Sequence, residues 1–314
     1  MERVTLRSED IKRLAKEAGF DLCGVVSAEC QAGAEKRFRG WLLEGYGDGL
    51  DYLHRNLDLR FDPTKLVDGA RSVVVCGVNY KNRYSLSDEL QRSGAGVASY
   101  ALMRDYHKTI KRRLKLLLRE LQRLSPELSG RMFTDSAPLV EKHFAYRAGL
   151  GWIGRQSLLV TPQFGTFVLL GELVIDHAVD RYDEPLGAVD EGCGECRRCL
   201  DSCPVGAINR DRTIDARRCI AARTIEFEQQ QGSEPLAGWI FGCDVCQRCC
   251  PHNRLTPLSA AEDLQPKLIP PSPAEWLAMS ETEFVNFAQG TPIKRSSLTR
   301  IKDNIALNSE HQNR

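Results

Sequence analysis

The sequence predicts an α/β (α+β) protein: a mixed domain of helices and short strands, then a small cysteine-rich domain, then a short helical tail. Three observations carry that reading. Up to about residue 180, β-branched runs such as "SVVVCGVNY" (72–80) alternate with amphipathic stretches such as "YHKTIKRRLKLLLRELQRL" (106–124). Nine of the twelve cysteines then fall between 193 and 250, where aliphatic sequence thins out. Beyond 251 the chain is Pro-rich ("LIPPSPAEW") before short helical patterns return. The expected units are 1–180, 181–256 and 257–314.

Each element has a local cause. Ser8 is expected to cap a helix with Glu9 and Asp10 in its first turn, Ile11, Leu14, Ala15 and Ala18 on one face, and Gly19 as its stop. "FDLCGVVSA" and "SVVVCGVNY" follow as strands. In the 106–124 helix, Ile110, Leu114, Leu117, Leu118, Leu121 and Leu124 recur at helical spacing. "RMFTD" (131–135) reads as a short strand; "SAP" then opens a helix with Pro138 in its first turn, running through "LVEKHFAYRAG" to Gly149. "GTFVLLGELVI" (165–175) is the next strand.

Charge and hydropathy exclude several classes. Lys plus Arg (43) nearly balance Asp plus Glu (42), so no global field announces a polyanionic partner and any basic site is local. Two candidates stand out, each equally readable as a solvated face: Lys108, Lys111, Arg112, Arg113, Lys115, Arg119 and Arg123 on the long helix, and Lys294, Arg295, Arg300 and Lys302 near the end. The first residues lack the apolar run of a signal peptide, and "FVLLGELVI" is broken by Gly171 and Glu172. A soluble cytoplasmic protein without a membrane partner is expected. In that reducing compartment the clustered cysteines read as metal ligands rather than disulfides.

Cys193, Cys196, Cys199 and Cys203, with Pro204 after them, have the C-x2-C-x2-C-x3-C-P spacing of double-cluster ferredoxins, whose fourth cysteine serves the other cluster. Cys243, Cys246 and Cys250 precede Pro251, and Cys219 lies between the blocks. Crossing the fourth ligands gives two [4Fe-4S] sites: Cys193, Cys196, Cys199 and Cys250; and Cys203, Cys219, Cys243 and Cys246. Cys249 would restore C-x2-C-x2-C spacing but is followed by Cys rather than Pro, so it is assigned as a bystander. Tetrahedral zinc is the alternative reading of the C-x2-C pairs.

"GLGWIG" (149–154) matches the G-x-G-x-x-G dinucleotide pattern. That motif requires a strand before it and a helix after it, and here the order is inverted. Its glycines are expected to end a helix and let the backbone lie close to something large.

"YALMRDYHK", "TDSAPLVEKHFAYRAGLGWIGRQSLLV", "FGTFVLLGEL", the first cysteine block and "FGCDVCQRCCPHN" together resemble the epoxyqueuosine reductases, over nearly the whole chain to about residue 309. The resemblance implies a cobalamin-binding domain of nitroreductase-like fold followed by a ferredoxin-like domain. It implies the two-electron removal of the epoxide oxygen, as water, from epoxyqueuosine at the wobble position of tRNA. The clusters would reduce cobalamin one electron at a time, drawing on a low-potential donor of ferredoxin or flavodoxin type. A monomer is expected. Longer members carry a helical-repeat extension that this chain is too short to hold in full.

Opening an epoxide leaves an alkoxide, so an acid is needed at that oxygen. Asp135 is the candidate: it ends a strand and matches the family's proposed proton donor, and burial against the corrin would raise its pKa. Without the resemblance it reads as a helix cap. The implied cofactor contacts are Arg60, Tyr100, Asp135, Trp152, Gln156, Ser157 and Phe167. Gln156 and Ser157 depart from the family's usual wording, although a backbone contact would survive the change. Arg104, Asp105, Tyr106 and His107 could touch the corrin amides or the tRNA, or merely start the long helix; no protein ligand to cobalt is implied. The competing readings are a corrinoid reductase of a small molecule, similar to reductive dehalogenases, a non-catalytic electron carrier, and a flavin enzyme.

Overall fold

A computed structural model of the chain describes residues 5–188, 191–227 and 234–312. Among these, eight strands run in chain order: β1 (Leu22–Ser27), β2 (Ser72–Asn79), β3 (Gly96–Val97), β4 (Gly130–Phe133), β5 (Trp152–Ile153), β6 (Leu159–Val160), β7 (Val168–Ile175) and β8 (Trp239–Phe241). The main sheet has the order β1-β2-β7-β4 and is antiparallel throughout.

Strand periodicity sorts the core into two layers. On β2, Val74, Cys76 and Val78 face one layer with Ile11 and Leu14 of helix Ser8–Glu17 and Ile110, Leu114, Leu117 and Leu121 of helix Tyr106–Leu124. Val73 and Val75 face the other, with Phe144 and Ala145 of helix Glu141–Arg147. Every residue of β2 is buried, as its unbroken β-branched run requires.

Two local expectations are corrected. Arg7, not Ser8, holds the cap position of the first helix, and the Ser8 backbone N–H donates to Asp180 Oδ1 at 2.8 Å. The helix expected from "SAP" starts only at Glu141, with Val140 at its cap. Asp135 adopts a left-handed backbone (φ +53°), which turns the chain out of β4 without entering a helix. Asp135 is therefore no helix cap.

The cysteine unit carries helices Arg198–Ser202 and Val245–Arg248, which pack against each other. It is tied to the first unit by β3, which pairs parallel to β8. The last segment is not an appendage. Trp276, Phe284, Ile293, Leu298, Ile301 and Ile305 form one core with Val97, Leu102, Ile240 and Phe241. Among the described residues, no helix is long and apolar enough to cross a membrane.

Candidate functional site

A cavity of about 380 Å³ lies between the first unit and the cysteine unit. Tyr100, Lys142, Gln156 and Ser157 line one side; Cys203, Cys219, Cys243 and Cys246 line the other. Among the buried polar atoms without a protein partner is Gln156 Nε2 on this wall; Arg60 Nε and Trp152 Nε1, outside the lining, are two more. Orphaned donors are expensive unless a bound group satisfies them. An amide-rimmed corrin fits such a wall, and the family resemblance that implies cobalamin is met by residues able to hold it.

Asp135 stands at the end of β4 with its side chain 46% exposed. Its Oδ2 is 3.0 Å from His107 Nε2, and Tyr106, whose ring lies edge-on to Tyr100 with centroids 6.0 Å apart, stands beside it. The His107 hydrogen bond holds the Asp135 carboxyl below its ordinary range, outweighing desolvation. This corrects the expected upward shift: the partner, not burial, dominates. The same bond raises His107.

Behind Asp135 stand two further carboxyls to which the sequence reading gave no part in the site. The Asp135 backbone N–H donates to Glu141. Burial, then the nearby Asp135 charge, pushes Glu141 up to about 7. Glu172, fully buried at the centre of β7, has no good hydrogen-bond partner at either oxygen, and desolvation raises it strongly. Arg295, from the last segment, pairs with Glu226 at 3.1 Å and adds positive potential at Asp135. The only signal for these groups in the sequence was charge in otherwise apolar stretches.

The other expected contacts divide. Tyr100, Gln156 and Ser157 reach the cavity wall. Arg60 packs over Phe38 and shares the electrostatic neighbourhood of Tyr52, Asp135 and Glu226. Trp152 instead packs edge-on to His252, 4.9 Å between centroids, and against Gly192 of the first cysteine block. Phe167 is fully buried against Tyr80, so its side chain has no surface for a cofactor. The "GLGWIG" glycines also serve the protein itself. Gly149 (φ +69°) ends the helix beside the Glu184 carbonyl, and Gly151 lies too close to the Val160 carbonyl to admit a Cβ. The segment then forms the β5–β6 hairpin.

The basic helix face is partly neutralised. Arg112 and Arg113 both pair with Asp263, and Arg123 pairs with Glu120. Lys108, Lys111, Lys115 and Arg119 remain exposed.

The cysteines fall into two electrostatic groups. Cys243 and Cys246 feel Cys219, and Cys243 also feels Cys203, whereas Cys250 feels Cys193 and Cys196; Cys249 lies between the groups and acts on Cys199, Cys250 and Cys246. Burial pushes Cys199 and Cys250 up to about 11, so iron must displace protons as it binds. Cys203 (φ −68°, ψ 112°) and Cys250 (φ −68°, ψ 122°) share one backbone conformation before their prolines. In that internal repeat Cys249 corresponds to Ser202. Among the described residues no three Cys, His, Asp or Glu side chains converge on a single metal ion.

Comparison with known proteins places this geometry. The family model described as "Epoxyqueuosine reductase QueG, DUF1730" matches residues 60–136, and that of a "4Fe-4S double cluster binding domain" matches 192–253. The chain is 35% identical over 306 residues to the epoxyqueuosine reductase of Leadbetterella byssophila, covering 96% of this chain and 98% of that one. It is 38% identical over 307 residues to the Escherichia coli enzyme, covering 96% and 80%. A solved Bacillus subtilis epoxyqueuosine reductase, with an aspartate-bearing catalytic loop swung out of its active site, superposes with a TM-score of 0.82 at 25% identity, covering 96% of this chain and 81% of that one.

Proposed function

This chain belongs to the epoxyqueuosine reductase family, and from that premise we propose how its residues divide the work. It reduces epoxyqueuosine in tRNA, with two [4Fe-4S] clusters carrying the electrons. The reaction consumes two electrons and two protons: both epoxide C–O bonds break, a C=C bond forms, and the oxygen leaves as water. Cobalamin, when bound, supplies a strongly nucleophilic centre for the epoxide carbon. Arg60, Tyr100, Gln156 and Ser157 hold and orient it. Asp135 delivers a proton to the oxygen as the C–O bond opens.

Cys203, Cys219, Cys243 and Cys246 hold the cluster beside the cavity, and Cys193, Cys196, Cys199 and Cys250 the one that accepts electrons from a low-potential ferredoxin or flavodoxin. The enzyme works as a cytoplasmic monomer on the wobble nucleoside. A 480 Å³ groove lined by Lys65, Lys111, Arg131, Ser136 and Pro138 lies beside the Asp135 turn and suits the phosphates of an anticodon loop. In support of this reading, one cavity has the orphaned Gln156 donor on one wall and four cluster cysteines on the other.

Nucleoside analysis of tRNA from a strain lacking this protein tests the function. Epoxyqueuosine should accumulate and queuosine vanish; unchanged queuosine, with no second reductase present, overturns the reading. Asp135→Asn keeps a side chain that tolerates the left-handed backbone. It should retain clusters and cobalamin yet lose about 10²–10⁴-fold in turnover.

A further inference from the structure

The reaction needs two protons, and one carboxyl delivers one at a time. Asp135 must be reloaded between capturing the alkoxide and releasing water. Its own carboxyl is held below the ordinary range, so the resting site keeps its proton elsewhere.

His107 is built for that task. Its Nε2 lies 3.0 Å from Asp135 Oδ2, and its Nδ1 lies 2.8 Å from Asp105 Oδ1. Asp105 Oδ1 also accepts the His107 backbone N–H at 3.0 Å as the cap of the long helix. The imidazole is stacked on Tyr106, centroids 4.2 Å apart. With an ionised carboxylate at each nitrogen only the imidazolium satisfies both; once Asp135 takes the proton, the same bond persists with Asp135 as its donor. Burial opposes that charge, as the positive end of a helix does, but the hydrogen bonds to Asp135 and Asp105 raise the ring above its ordinary value. The side chain is 24% exposed, so water can recharge the ring.

The geometry points to His107 as the proton store of the reaction, an imidazolium set in place by Asp105 that loads Asp135 twice per turnover, once for each proton the oxygen takes. The proton on Nε2 moves to Asp135 Oδ2, the N–H electron pair stays on nitrogen, and the neutral ring regains a proton from water after each transfer, so that two protons pass through it per turnover. His107 is thus a positioning residue acting through Asp135, and the inference rests on Asp135 being the acid. The groups facing this pair are Asp105 and Tyr106 around the ring, and Tyr106, Glu141, Glu172, Lys142, Arg295, Tyr52 and Tyr100 around Asp135.

Two measurements test it, the first on enzyme with both clusters oxidised. In ¹⁵N NMR of histidine-labelled protein, the signals that vanish in His107→Gln identify this ring. It should carry both protons at pH 7 and titrate at lower pH in Asp135→Asn; a ring neutral at pH 7, or unmoved in Asp135→Asn, overturns the inference. In turnover, His107→Gln should fall about tenfold or more. Asp105→Asn should move the alkaline limb about one pH unit lower. Imidazole should restore His107→Gly but not Asp135→Asn. An inactive Asp135→Asn beside a His107→Gln with normal rate and pH profile removes the proton store and leaves the acid; an active Asp135→Asn removes the acid itself.

Discussion

The two cysteine blocks have the same local backbone and opposite surroundings. Around Cys193 and Cys196 the neighbours Gly194, Glu195, Arg197 and Arg198 are exposed, and the block touches the first unit through Trp152 on Gly192 and Arg155 donating to the Gly194 carbonyl. The second block is embedded. Asn253 accepts from the Thr166 backbone N–H at 2.7 Å and donates to Thr166 Oγ1 and the Gln247 carbonyl. Gln247 in turn meets Tyr80 and Thr166, Asp244 accepts from the Ser99 N–H, and the buried Lys81 ammonium donates to the Asn253 and Thr256 carbonyls. The proposed direction of electron flow rests on this difference: the first block offers an outward face, and Cys243 and Cys246 of the second stand in a fixed wall of the cavity.

The most drastic way to break this comparison is to empty one site at a time. Cys246→Ala should abolish turnover with every reductant. Cys196→Ala should abolish turnover with a protein donor yet keep part of it with dithionite; equal loss in both variants would erase the distinction. A smaller effect comes from the anchor. Asn253→Ala strands buried partners and should lower stability by about 3 kcal/mol in chemical denaturation, with loss of cluster absorbance on mild heating.

Smaller again is the effect of the buried carboxyl behind Asp135. The Glu172 pKa is raised in the fold, so its favourable contribution is complete below the unfolded value and is lost as pH rises through the folded one. Glu172→Gln should therefore gain about 1–2 kcal/mol over the parent at pH 8 and little at pH 4, read from paired denaturation curves. The smallest effect sharpens the repeat: Cys249→Ser should keep full iron and sulfide, whereas Cys250→Ser should not.

Legibility followed the range of the interactions. The leucine spacing of 106–124 and the run at 72–80 set their own periods, and both elements formed there. The cysteine spacing was local too, and the double-cluster family model covers it. Asp135 was visible as a strand end. Its partner was not, because His107 lies 28 positions earlier and meets it only through the packing of the long helix on the sheet. Glu172 read as an interruption of a strand rather than a charge aimed inward. Trp276 and Phe284 looked like tail residues because their partners, Val97 and Phe241, lie far upstream.

The helix Leu298–Gln312 stitches the joint between the units. Asn304 Nδ2 donates to the Ile240 carbonyl, and Asn308 bonds the Trp239 and Gly94 carbonyls and the Gly238 N–H. During synthesis these residues leave the ribosome after both cysteine blocks. The parallel β3–β8 seam is thus clamped last, and iron–sulfur delivery has an interval in which the cysteine unit is made but not yet locked. A nascent chain stalled before residue 298 should accept clusters more readily than the finished protein.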